Sequence, residues 1–462
     1  MTDVLVVGGG ITGLVAARDA ALAGATVTIV EPGPLGGKVQ ASAFDGGVLD
    51  EAADNFLARV PEGLDLCRAL GIDGELVSPA VRRAHVWSRG ALRLLPENQV
   101  LGVPTDLDEL AASGILSPAG LERVGHDLAT PLVPPPGDVS IGAVMRDRLG
   151  DEAAQRLVDP LVGGINAGDT DHLSLAATVP QLDAALRSGH PSLIEACQAQ
   201  RAAISDRSAP VFFAPKAGMG ALRDALVADL RARDVHVVAD TVTALERGNA
   251  GGRWSGSLRA GGVVDADAVV LALPAPPAAD LVRAHSAHAA VLLAAIPYAS
   301  VAMVSLAVPR AAIDRELDGS GFLVPRVEGR TISACSWTSA KWPHLAGAGT
   351  VWLRASVGRD GDDTALALDD EALAKAALVD LRDTMALRGE PTEVRVTRWT
   401  ASLPQYRPGH LDRADAIDAA MSEAAPEVVV TGAALRGLGV PACIRQGAAA
   451  ARRVLLALDA RP

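Results

Sequence analysis

Val4-Leu5-Val6-Val7-Gly8-Gly9-Gly10-Ile11-Thr12-Gly13 is the stretch whose reading decides the fold. The apolar, mostly β-branched run Val4 to Val7 reads as a buried parallel strand. Gly8 to Gly13 matches GxGxxG, and Leu14 to Ala23 reads as a helix that Gly24 stops. Thr26 to Val30 is a second strand, closed by Glu31. Strand, glycines, helix, second strand and acid together form the βαβ context that makes this motif specific for a dinucleotide. Gly8 permits the tight turn, Gly10 lets the backbone approach a pyrophosphate, and Gly13 lets helix and strand pack closely. The pyrophosphate is expected at the helix N-terminus, over Gly9, Ile11 and Thr12, where free N–H groups and the helix dipole favour an anion. Glu31 is placed to accept from adenosine ribose hydroxyls.

Working outward, the chain has 462 residues, enough for two to four domains with a sizeable core. It is 49% apolar and 21% charged, which excludes disorder as the main state. A net charge of −13 argues against general binding of nucleic acid or anionic lipid. Cys67, Cys197, Cys335 and Cys443 lie far apart with no CxxC pair. No zinc site, iron–sulfur cluster or other metal is expected, and the cysteines suit a reducing compartment. No basic n-region precedes the N-terminal apolar run, which Gly8-Gly9-Gly10 interrupts, so no signal peptide is expected. Ala290 to Val308 carries no charge over 19 residues. Pro297 inside it predicts a short helix, a break and a buried strand from Ser300, not a membrane span. The expectation is a cytoplasmic protein with at most peripheral membrane contact.

The βαβ unit alone leaves NAD and FAD open. Pro34-Leu35-Gly36-Gly37-Lys38 then places a glycine pair and a base just past the second strand. This resembles the flavoproteins with a glycine doublet: amine oxidases, phytoene desaturases and porphyrinogen oxidases. Lys38 stands where Arg is more usual. Asp50-Glu51-Ala52-Ala53-Asp54-Asn55-Phe56-Leu57-Ala58-Arg59 resembles the porphyrinogen oxidase segment "GAD" followed by "SFLARKP", with Ala52 at the glycine position. Pro160-Leu161-Val162-Gly163-Gly164-Ile165-Asn166-Ala167-Gly168-Asp169 is similar to its "GVYAGD" stretch, with Asn166 replacing an aromatic. Gly321-Phe322-Leu323-Val324-Pro325, Cys335-Ser336-Trp337, Lys341-Trp342-Pro343 and Pro404-Gln405-Tyr406 with Gly409-His410 follow in the family's order. The "RAP" usual after the tryptophan–proline pair is absent. Gly437-Leu438-Gly439-Val440-Pro441-Ala442-Cys443-Ile444 resembles the C-terminal flavin motif.

Together these motifs resemble the protoporphyrinogen/coproporphyrinogen oxidase family. The resemblance implies FAD, a porphyrinogen substrate and molecular oxygen as acceptor, with peroxide released. It extends the cofactor-binding set to Gly37, Lys38, Ala52, Ala53, Asp54, Asn55, Val242, Trp399, Gly439, Val440 and Pro441. It implies an α/β fold: a discontinuous Rossmann-like FAD-binding domain over residues 1–75, 205–280 and 425–462, a mainly helical insertion at 76–204, and an α+β substrate domain with an antiparallel sheet at 285–420. His236 to Ala239, Ala268 to Ala272 and Glu427 to Thr431 read as strands, and a helix follows from about Cys443 to Leu456.

Aromatising a porphyrinogen removes six hydrogens in three two-electron steps. The cofactor carries that chemistry, so the protein must place a meso carbon and exclude water. Substrate carboxylates call for Arg, which binds them with two parallel hydrogen bonds. The resemblance puts a propionate-binding Arg near Arg82-Arg83, with Arg83 the candidate. Gly164 is the candidate catalytic and substrate-binding glycine, its carbonyl accepting from pyrrole N–H groups. His410 reads as structural. Coproporphyrinogen III is the favoured substrate, with protoporphyrinogen IX as the alternative. Another flavin oxidase, such as an amine oxidase, is disfavoured because 13 aromatics leave little for an aromatic cage. A non-enzymatic tetrapyrrole carrier is a further alternative, and product hand-over to a downstream haem-synthesis enzyme is compatible with the reading.

Overall fold

The structure is a computed structural model that describes residues 2–459 except 205, 207, 208, 249–251, 346 and 348. The bounds expected at 1, 205 and 462 lie outside the described residues. Strand β1 (Asp3–Val7), helix α1 (Ile11–Leu22) and strand β2 (Thr26–Val30) form the N-terminal βαβ unit. Val4, Leu5, Val6 and Val7 are at most 3% exposed, which explains why this strand is apolar at every position. β1 lies inside a five-stranded parallel sheet, in the order His236–Val238, β2, β1, Ala268–Leu271, Val428–Val430. Its strands come from three separate stretches of the chain. The helix Val440–Asp459 packs on α1, and a Cβ at Gly447 would fall 2.4 Å from the Thr12 carbonyl oxygen. That glycine sets how closely the last helix approaches the first. An antiparallel meander, Val242–Arg247, Trp254–Leu258 and Val263–Ala266, is inserted between two of the parallel strands.

A seven-stranded sheet forms the second layer, in the order Glu393–Pro404, Tyr298–Pro309, Thr350–Val357, Ile332–Trp337, Gly321–Leu323, His85–Ser88, Ala91–Leu94. The helix–break–strand reading around Pro297 corresponds to the helix Ala287–Ala294 and the strand Tyr298–Pro309. The sheet differs from the expectation in one respect. His85–Ser88 and Ala91–Leu94, from the stretch read as mainly helical, extend it, and His85–Ser88 runs parallel to Gly321–Leu323. The reason is burial: all four residues of His85–Ser88 are covered, so this short strand needs a partner on its open edge. The helix Asp370–Met385 covers one face with Leu373, Ala377, Leu378 and Leu381.

The helices between Leu107 and Ala202 pack around their own core, with Leu110, Ile115, Ile141, Met145 and Leu182 at its centre. One helical stretch, Ala154–Gly163, is wound as a π-helix and holds Pro160. Such widened turns recur at functional sites, and proline has no N–H to donate to a tighter ladder.

Candidate active site

Geometry at the β1–α1 turn separates the three motif glycines by role. A Cβ at Gly13 would lie 1.9 Å from the Gly8 carbonyl oxygen, so this glycine is demanded by the fold. Gly8, at φ +106°, is held against the Ala272 carbonyl, which a Cβ would meet at 2.4 Å. A Cβ at Gly10 would meet no protein atom within 4 Å. Gly10 therefore faces a cradle that the protein leaves open, and it is the residue before an α1 N-terminus that no side chain caps. The Gly9 N–H donates to Glu31 Oε2 at 2.7 Å, and Gly33 N–H to Oε1 at 2.9 Å. Glu31 thus braces the turn, and each of its oxygens keeps a lone pair for a ribose hydroxyl. Gly36 N–H donates to the Gly9 carbonyl at 2.7 Å. Gly37, at φ +59°, passes so near Gly10 that a Cβ would lie 3.0 Å from its Cα. Lys38 is exposed and forms no ion pair among the described residues.

The segment after the doublet is fixed by long-range contacts. Asp50 accepts from Met219 N–H at 2.8 and 3.0 Å, and burial pushes its carboxyl up to about 6. The Glu51 carbonyl accepts from the Trp399 indole N–H at 3.1 Å. Asp54 is buried, which alone would raise its pKa, but Lys341 at 2.8 Å and Arg354 at 3.3 Å hold it well below the usual carboxylate range. Asn55 donates to Asp54 Oδ1 at 2.5 Å. Ala52 and Ala53 are half-buried between these anchors. Val242 is buried among Leu5, Val7 and Trp254 at the start of the meander.

At the C-terminal motif, Gly437 has φ +113°, and Pro441 sits in the first turn of Val440–Asp459, where its missing N–H costs nothing. The Gly439 carbonyl accepts from Cys443 N–H at 3.0 Å. Tyr406 fixes this loop: its hydroxyl accepts from Gly437 N–H at 2.8 Å and donates to the Ala433 carbonyl at 2.5 Å. The ring stacks on His410 at 4.0 Å, and His410 Nε2 bonds the Leu435 carbonyl at 2.9 Å. Burial pushes the His410 pKa down to about 4, so it is a neutral positioning group.

The π-helix forms one wall of a small pocket lined by Asp159, Pro160, Gly163, Gly164, Ala167 and Arg359 among others. Gly164 is exposed, and a Cβ there would meet Leu323 only at an ordinary 3.6 Å. The pocket adjoins the flavin-type segment: Ala167 packs with Ala299 and Val301 in a cluster that Trp399 covers. Arg83 lies elsewhere. Its side chain is 58% exposed, 3.5 Å from Glu97, and is not part of this pocket. The physical reason is that its neighbours enter the sheet from His85 onward, leaving residue 83 outside on the connecting turn.

Sequence reasoning missed Arg359, Arg326 and Asp159. Gly358-Arg359-Asp360-Gly361-Asp362 reads as a solvated charged turn, yet Arg359 is only 8% exposed. Only its position straight after a buried strand hinted at this.

An open glycine cradle on a parallel sheet, beside a pocket-bearing antiparallel layer, is the frame of a dinucleotide-dependent enzyme. The chain belongs to the flavin containing amine oxidoreductase family, whose model matches residues 11–455. A coproporphyrinogen III oxidase of Bacillus subtilis (strain 168) is 34% identical over 97% of this chain and 96% of that protein. One of Propionibacterium freudenreichii subsp. freudenreichii is 36% identical over 99% and 92%. A solved structure named for a protoporphyrinogen oxidase from Exiguobacterium sp. 255-15 superposes with TM-score 0.88 at 30% identity, covering 99% of each chain. A reduced UDP-galactopyranose mutase, at 15% identity and TM-score 0.74 over 99% and 94%, shares the fold alone. The cofactor is FAD, and the Gly10 cradle fits its pyrophosphate.

Proposed function

We propose that this protein oxidises coproporphyrinogen III to coproporphyrin III, with molecular oxygen as acceptor. The observation that carries the reading is the Trp399 bridge, which joins the flavin-type segment at Glu51 to the pocket at Ala167. The full-length similarity to coproporphyrinogen III oxidases supports it. When bound, FAD supplies the acceptor for hydride from a meso carbon while a pyrrole N–H proton is lost, and oxygen regenerates it with release of hydrogen peroxide.

The chain's own residues bind and orient. Backbone N–H groups at Gly10, Ile11 and Thr12 and the α1 dipole hold the pyrophosphate, with Gly9 placed by its bond to Glu31. Glu31 takes ribose hydroxyls. Gly37, Lys38, Ala52 to Asn55, Val242, Trp399 and Gly439 to Pro441 form the rest of the flavin site. Gly164 approaches the tetrapyrrole with its backbone. The glycines that line the pocket let the macrocycle approach the backbone closely, so the meso carbon is presented in one orientation. No helix among the described residues is long and apolar enough to cross a membrane. A cytoplasmic location and hand-over to a downstream haem-synthesis enzyme belong to the same proposal.

The test uses flavin-loaded protein with each porphyrinogen prepared anaerobically, then mixed with oxygen. A higher kcat/KM for coproporphyrinogen III than for protoporphyrinogen IX, with peroxide formed, is expected. The reverse ranking makes the dicarboxylate the substrate. Tight binding without turnover would leave only a tetrapyrrole carrier.

A further inference from the structure

Arg359 is buried to 8% exposure and lines the Gly164 pocket. No carboxylate lies within 4.0 Å of its guanidinium, and its side chain makes no hydrogen bond among the described residues. Only its backbone is engaged, exchanging hydrogen bonds with Asp362. Its neighbour Arg326 is different. The Arg326 guanidinium donates to the carbonyls of Gly168 and Asp360 at 2.9 and 3.0 Å and lies 3.8 Å from Asp159. Asp159 is in turn held by the N–H and hydroxyl of Thr170 at 3.3 and 3.0 Å. The one carboxylate in the pocket wall is thus engaged by Thr170 and Arg326, and Arg359 is left over. Asp360, next in the chain, is paired with Arg407 at 2.7 Å.

A mostly buried guanidinium that no carboxylate touches keeps its hydrogen-bond donors for the pocket that it lines. Asp159, Asp362 and Asp169 offset its charge from beyond contact distance, and its donors stay available to a ligand. We propose that Arg359 is a carboxylate-binding residue of the Gly164 pocket and takes one propionate arm of the tetrapyrrole. The inference rests on the porphyrinogen reading and adds an anchor to it. The planar fork of Arg matches a carboxylate with two parallel bonds. The opening at Gly164 admits an arm from the ring side, and Ala167 and Trp399 place the same pocket beside the flavin-type segment. Ile165, next to that opening, is 71% exposed and offers an apolar rim for the macrocycle.

The test titrates flavin-loaded protein with coproporphyrin III and with its tetramethyl ester, following porphyrin fluorescence, and records thermal melting. Wild type, Arg359→Met, Arg359→Lys and the surface control Arg283→Ala, whose side chain is 57% exposed, are compared. A charge-assisted hydrogen bond is worth roughly 1.5–3 kcal/mol, or about a ten- to 150-fold change in affinity. Arg359→Met should lose that much affinity for the acid and change little for the ester. Arg359→Lys should lie between, and Arg283→Ala should match wild type. Melting of the ligand-free Arg359→Met protein should not fall, because no direct ion pair or side-chain hydrogen bond is lost. Retained acid affinity in Arg359→Met, or equal losses for acid and ester with a lower melting temperature, would overturn the proposal. If Arg359→Met does not fold, acid and ester binding to Arg359→Lys decide in the same way. Wild type that neither binds coproporphyrin III nor oxidises its porphyrinogen would instead refute the substrate reading itself.

Discussion

Lys341 Nζ lies 2.8 Å from Asp54 Oδ2, joining the segment after the glycine doublet to the helical turn Thr338–Lys341 that follows a strand of the second sheet. Arg354 reaches the same oxygen at 3.3 Å. The side chains of all three are 12 to 14% exposed. Two cations on one carboxylate make the two ends of this bridge unequal. Removing Lys341 leaves Asp54 with Arg354, whereas neutralising Asp54 leaves two cations facing each other.

Asp54→Asn is therefore expected to cost about 3–5 kcal/mol of unfolding free energy, the range for a broken buried pair. Lys341→Met should cost clearly less, since its partner stays paired. Urea unfolding of the flavin-free proteins measures both. Equal losses would show that Arg354 does not share the load. A double variant close to Lys341→Met alone would show the penalty to lie in the stranded cations.

Asp50 gives the same region a pH dependence. Burial raises its carboxyl to about 6, Met219 N–H and Arg354 oppose the rise, and Asp54 adds to it. A raised carboxyl favours the neutral form in the folded state. Its contribution is fully present below the unfolded value near 4 and is lost as pH rises through 6. By pH 7 the loss is about 3 kcal/mol at about 1.36 kcal/mol per unit. Asp50→Asn keeps a carbonyl to accept from Met219 and should remove this slope. The difference in urea midpoint between variant and wild type should grow in the variant's favour from pH 4 to 7. Parallel curves over that range would refute it.

Much of this site was legible because its chemistry is written in backbone demands. Gly8, Gly10 and Gly13 each answer to a contact or an opening that any side chain would spoil, and such demands leave glycines at fixed spacing. The parallel strands announced themselves as unbroken apolar runs. What stayed hidden depends on tertiary meetings. Lys341 and Asp54 are 287 residues apart, and neither carries a local sign of the other. Arg359 looks solvated among glycines and aspartates, and only the folded turn buries it. His85–Ser88 is too short for periodicity to assign it to a sheet whose other strands lie mostly beyond residue 298. Arg83 sits beside that strand, and proximity in sequence to a plausible segment did not place it in the pocket.

The two helix-start glycines make opposite predictions. At Gly10 a side chain meets no protein atom, and the residue's φ of −71° and ψ of 173° suit any amino acid. Gly10→Val should fold and melt like the flavin-free wild type, yet purify colourless, because its methyls fill the pyrophosphate's place. Gly13→Ala drives its Cβ into the Gly8 carbonyl and should lower the melting temperature of the flavin-free protein itself. A Gly10→Val protein that holds stoichiometric FAD would mean that the cradle lies elsewhere.

Tyr406 supplies the last test, because it touches the flavin-type loop only through backbone. Its hydroxyl is shared between Gly437 N–H and the Ala433 carbonyl, and the residue is 3% exposed. Tyr406→Phe keeps the ring stacked on His410 and leaves those two backbone groups without their partner. Each stranded buried group costs about 1–3 kcal/mol. Part of that should appear as lower stability of the flavin-free protein. The rest should appear as weaker FAD binding, since the loop from Ala433 to Gly439 leads straight into Val440 and Pro441. Fluorescence titration of the flavin-free variant with FAD separates the two effects. Reduced stability with unchanged FAD affinity would show that Tyr406 braces the fold without shaping the cofactor site.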